Sequence, residues 1–74
     1  MANEFQLEQL KKFNKVELMI LTHLSNGKRA RDIAALNRCT VGVIEQKIHK
    51  MKNNAGAATA ASLVAMALRN QIIS

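Results

Sequence analysis

The chain contains no proline and no tryptophan, and two phenylalanines supply its large aromatic side chains. Apolar residues still make up 49% of it, mostly Ala, Leu, Ile, Val and Met. These are largely good helix formers, so the composition predicts an all-α fold. A single cysteine, Cys39, has no partner for an intramolecular disulfide, and no Cys/His set has zinc-ligand spacing. A stapled or metal-held mini-domain is therefore not expected, and a reducing cytoplasm is the expected compartment. Cys39 itself reads as a small apolar plug between helices. No stretch reaches the roughly 18 uninterrupted apolar residues of a membrane span. The opening Met-Ala-Asn-Glu-Phe-Gln lacks the basic-then-apolar order of an export signal, so no membrane partner is expected.

Chemistry-bearing clusters are equally scarce. No acidic pair, nucleophile beside a base, or Gly-rich phosphate loop stands in an arrangement that catalysis would need, so neither an enzyme nor a cofactor is expected. With 74 residues the chain supports one small domain, which buries about 60% of the surface exposed on unfolding. Acidic residues are few, five against eleven Lys and Arg, giving a formal charge of +6 and a pI near 10.1. Ten of those eleven cations fall between Lys11 and Lys52, and the 22 residues that follow carry only Arg69. Such a balance attracts nucleic acid or an anionic surface; a solvated face with no such partner is the plain alternative.

Local signals divide the chain into an N-terminal extension over 1–12 and a domain over 13–74. Residues 3 to 12 predict a short extra helix with Asn3 as N-cap and Phe5, Leu7 and Leu10 as an incomplete apolar stripe. Asn14 followed by Glu17 has the form of a capping box, in which each side chain satisfies a free backbone N–H. From that cap Phe13, Ile20, Leu21 and Leu24 fall on one side of a helix that stops near Ser25-Asn26-Gly27. Lys28, Arg29 and Arg31 lead into a short helix over Asp32–Leu36, with Ile33 and Leu36 facing inward and Ala34 permitting close approach. Asn37-Arg38-Cys39 breaks it.

Thr40 then caps a third helix, whose Ile44, Ile48, Met51 and Ala55 form a buried stripe. The 3.6-residue period places Gly42, Gln46, His49, Lys50 and Asn53 on its opposite face, with Glu45 and Lys47 on the flanks. A helix lying in a major groove presents such a face, and so does an ordinary solvated helix. After a turn at Asn53-Asn54-Ala55-Gly56, Thr59 caps a last helix through Asn70, in which Ala60, Leu63, Val64, Ala67 and Leu68 make a wide apolar band. His23 reads as partly buried packing.

With these elements placed, Phe13 to Ile73 resembles the LuxR/GerE-type helix-turn-helix domain, aligned without a gap. The family's Leu-Thr-x-x-Glu is matched by Phe13-Asn14-x-x-Glu17, its Gly after the first helix by Gly27, and its Ile-Ala by Ile33-Ala34. Its Ile-Ser-x-x-Thr-Val appears as Cys39-Thr40-x-x-Val43-Ile44, its Leu-Gly-Val turn as Ala55-Gly56-Ala57. The closing elements correspond to Leu63-Val64-x-x-Ala67 and Ile72-Ile73. The resemblance implies a four-helix domain that binds double-stranded DNA as a transcription regulator. It implies base contacts from Glu45, Gln46 and His49, and backbone contacts from Lys28, Arg29, Thr40, Lys47 and Lys50. It also implies a homodimer through the last helix, at Ala60, Leu63, Val64, Ala67 and Leu68. Glu45 stands where the family usually has Lys or Arg; a carboxylate there can accept from cytosine N4, and Gln46 can pair with adenine. His49 is either a phosphate contact when protonated or, the more ordinary case, a polar residue facing the groove. Glu45, together with the extra apolar Val16, Leu18 and Met19, motivates a second expectation: a small interaction protein whose last helix engages a larger helix-turn-helix regulator or RNA polymerase. Residues 3 to 12 are the alternative cover for those three side chains.

Overall fold

The computed structural model describes residues 3–74, so the first two positions of the 1–12 extension lie outside the described residues. The described residues form five helices and no strand: α1 (Glu4–Lys11), α2 (Lys15–Ser25), α3 (Ala30–Leu36), α4 (Val41–Ala55) and α5 (Ala60–Arg69). The all-α expectation holds, including the short helix within the extension. Their radius of gyration is 11.4 Å, against about 11 Å for one folded unit of this length.

Local capping fixes where the helices begin. Asn3 Oδ1 accepts from Gln6 N at 2.8 Å, and Asn3 N donates back to Gln6 Oε1 at 3.0 Å. Asn14 and Glu17 make the same reciprocal pair, both at 2.9 Å. Thr40 and Thr59 accept from Val43 N and Ser62 N at the starts of α4 and α5. Each satisfies a backbone donor that has no intrahelical partner. α3 starts two residues earlier than the sequence suggests, because Asp32 lies inside its first turn and accepts from Arg29 N at 3.0 Å.

The ends share one device. After α2, α3, α4 and α5 the chain passes through a residue of positive φ, namely Gly27, Arg38, Gly56 and Gln71. In each case two N–H groups reach back over it to the last carbonyls: Lys28 to His23, Cys39 to Ala34, Ala57 to Lys52 and Ile72 to Ala67 make the bonds that span five residues, at 2.8 to 3.0 Å. The chain therefore turns at Gly56, and Asn53, Asn54 and Ala55 still belong to α4.

α4 is the central element and packs against each of the other four helices. Its Ile44, Ile48, Met51 and Ala55 stripe is buried as the period predicts, and joins Leu10, Phe13, Ile20, Leu21, Ile33, Ala34, Leu63, Met66, Ala67 and Ile73 in one core. α2, α3 and α4 pack mutually, α5 closes against α2 and α4, and α1 docks on α4. Cys39 and His23 are part-buried, Cys39 packing against the core.

Two expected core positions point outward. Leu36 is 60% exposed, because α3 buries Ile33 and Ala34, with Ala30 a turn earlier; at 100° per residue that stripe lies about 110° from Leu36. Phe5 is 63% exposed, since α1 turns Leu10 inward and Phe5 lies nearly opposite. Val16 is also exposed, while Leu18 and Met19 pack against the core.

Candidate nucleic-acid interface

α3, the turn Asn37–Thr40 and α4 form a short helix, a tight turn and a long helix, the order expected of a DNA-reading unit. Asn37 fastens the turn to the fold: its Nδ2 donates to Ile33 O at 2.8 Å and contacts Met19 Sδ at 3.6 Å. Burial of the Ile44-to-Ala55 stripe sets the rotation of α4. Gly42, Gln46, His49, Lys50 and Asn53 are consequently all exposed together on its far side. Gln46 and Asn53 lie nearest the centre of that face. Glu45 lies on one flank beside His49, and Lys47 on the other beside Lys50.

The face carries mixed hydrogen-bonding chemistry. Asn53 Nδ2 and His49 Nε2 lie 3.2 Å apart, one helical turn from each other, so the two side chains pair along the face. Glu45 supplies acceptors alone, Gln46 both a donor and an acceptor, and Lys50 donors alone. Gly42 needs no small side chain for the sake of the fold: a Cβ there would meet only Thr40 Oγ1, at 3.9 Å. Thr40 Oγ1 accepts from Val43 N at 3.3 Å, and a hydroxyl that accepts can also donate.

Lys28 and Arg29 are exposed where α3 begins, and Lys47 and Lys50 are exposed on α4, so all four selected cations are solvent-accessible. The structure adds neighbours that the sequence reading did not select. Arg31 and Arg38 are exposed on α3 and at its end, and Val41 and Val43 are 38% and 40% exposed in the first turn of α4. The three-and-four spacing of α4's buried stripe leaves Val43 off it but runs through Val41, whose exposure in the first turn only the structure shows. Arg38 carries no such signal, because its role in the turn comes from a positive φ that usually belongs to glycine.

The band on α5 divides. Leu63 and Ala67 are wholly buried in the chain's own core and have no surface to offer a second subunit, which corrects their assignment to a dimer contact. Leu68 is 44% exposed, and Ala60 and Val64 are part-buried against the core, so these three retain outward surface. Ala60, Ala61 and Val64 also line an open groove of ≈ 400 Å³ with Leu24, Ser25, Gly27 and Lys28. Among the described residues no three His, Cys, Asp or Glu side chains gather as they would around a metal ion, and no helix is long and apolar enough to cross a membrane.

No family model matches this chain, and neither a search of curated proteins nor one of solved structures finds a match.

Proposed function

We propose that this chain is a sequence-specific DNA-binding transcription regulator, acting in the cytoplasm as a homodimer through a LuxR-type helix-turn-helix. One observation carries the reading: α4 contacts every other helix of the fold and yet keeps Gly42, Gln46, His49, Lys50 and Asn53 exposed along a single face. A major groove about 12 Å wide admits one such helix, with Gln46 and His49 opposite base edges and Glu45 reaching in from the flank. Lys28 and Arg29, with Thr40, Lys47 and Lys50, then neutralise and bond phosphates on either side, which sets register without reading sequence. A second subunit would meet the outward side of α5 at Ala60, Val64 and Leu68, placing two reading helices on two half-sites.

A mobility-shift titration at low salt tests this directly. Retarded duplex DNA is expected, with affinity falling steeply as salt rises. Selection of bound sequences from a random pool should then return a palindrome if the dimer reads two half-sites. Absence of any retardation at low salt would sink the reading.

The apolar outward strip of α5 and its adjoining groove favour one alternative, a small protein that engages a larger helix-turn-helix regulator or RNA polymerase. Co-purification from nuclease-treated host extract separates the two. Stoichiometric recovery of a regulator or polymerase subunit supports the alternative, and its absence counts against it.

A further inference from the structure

The four left-handed residues that end α2, α3, α4 and α5 occupy equivalent positions, with the same pair of backbone bonds closing over each. Gly27 and Gly56 fill two of them, as the steric conflict between a Cβ and the following carbonyl leads one to expect. Arg38, at φ 53, and Gln71, at φ 58, fill the others. Both are exposed, so neither gains core burial in return for its backbone conformation. Gln71 stands near the C-terminal end of the chain. Arg38 stands in the turn between α3 and α4, two residues before the Thr40 cap and four before Gly42. Backbone strain kept in the turn that joins α3 to α4 points to a use of that turn.

We propose that Arg38 is a further DNA-backbone contact, held in the left-handed position of the turn so that its guanidinium meets a phosphate beside the N-terminus of α4. This rests on the DNA-binding reading above and deepens it. Lys28 and Arg29 carry charge at one end of α3, and Arg38 at the other, about 10 Å along a seven-residue helix. The short helix thereby offers cations at both ends to the strand it crosses. Glycine would relax the turn but would remove the charge. Arginine keeps the charge, and its planar fork suits two oxygens of one phosphate.

The test compares wild type with Arg38→Gly, Arg38→Gln and Gln71→Gly, using fluorescence anisotropy on a random-sequence 20-base-pair duplex and urea unfolding of each protein. Removing one phosphate contact should flatten the slope of log affinity against log salt by about 0.9. The ratio of wild-type to variant affinity should accordingly be about 3- to 4-fold larger at 50 mM salt than at 200 mM. Arg38→Gly is expected to show this loss with a raised urea midpoint, and Arg38→Gln to show the same loss with little change in midpoint. Gln71→Gly should raise the midpoint and leave DNA binding as it was. Wild-type binding whose salt slope Arg38→Gly and Arg38→Gln leave intact would overturn the assignment of Arg38 alone. A lowered midpoint in Arg38→Gly would also overturn it, by showing that Arg38 supports the turn. Wild type that fails to bind the duplex at low salt would overturn this inference and the DNA-binding reading together.

Discussion

Replacing Gly42 with alanine sets the stability of α4 against its access to a groove, and the two should move in opposite directions. Gly42 is the second residue of α4, and a Cβ built there finds nothing closer than Thr40 Oγ1 at 3.9 Å, an ordinary contact. Alanine restricts the unfolded chain and favours the helix by about 0.5 to 1 kcal/mol over glycine. A 74-residue domain unfolds with an entropy of about 0.16 kcal/mol/K near its midpoint, so the melting temperature should rise by about 3 to 6 °C. DNA affinity should fall along the series Gly42, Gly42→Ala, Gly42→Leu, because each added carbon holds the reading face further from the bases. Loss of one good base contact, about 1 to 3 kcal/mol, is roughly 5- to 150-fold in affinity. Thermal unfolding by circular dichroism and anisotropy titration on a selected duplex measure both quantities. Unaltered affinity in Gly42→Leu would refute the placement of this face against DNA, and a lowered midpoint in Gly42→Ala would refute the open surroundings of Gly42.

Other substitutions separate the components of the same surface. Lys47→Ala and Lys50→Ala should each weaken binding to all sequences alike and flatten the salt slope by about 0.9, read in anisotropy titrations across salt concentrations. Gln46→Ala should instead relax preference at one base pair, costing about 1 to 3 kcal/mol on the preferred sequence and little on others; competition with single-base variants of a selected duplex checks it. Leu63→Ala should lower stability by about 2 to 5 kcal/mol in urea unfolding, since Leu63 is wholly buried. Leu68→Glu, at a position 44% exposed, should leave the folded monomer within about 0.5 kcal/mol and dissociate a dimer formed through α5, a result that sedimentation reads directly.

Much of the architecture could be read before any packing was known, because the signals concerned are local. Asn3, Asn14, Thr40 and Thr59 each act through bonds to backbone within three residues, so their positions in the chain locate four helix starts. The stripe of α4 is similarly legible, since fifteen residues at a 3.6-residue period leave one consistent inward side. Short helices gave weaker signals. With seven or eight residues, α3 and α1 accommodate more than one inward direction, and Leu36 and Phe5 emerged on the outer side.

What the sequence determined by itself was the composition of two surfaces: cations gathered before Lys52, and a nearly uncharged apolar segment after it. It also determined the all-α class, the capped starts and the face of α4 that had to remain wet. Tertiary structure alone decided how the last apolar band is shared, sending Leu63 and Ala67 into the chain's own core and leaving Ala60, Val64 and Leu68 with outward surface. It also decided that α1 docks on α4 and that Arg38 takes a glycine's place in the turn. The physical reason is range: capping and periodicity act within a turn or two of helix, whereas burial depends on which neighbouring helix arrives to exclude water.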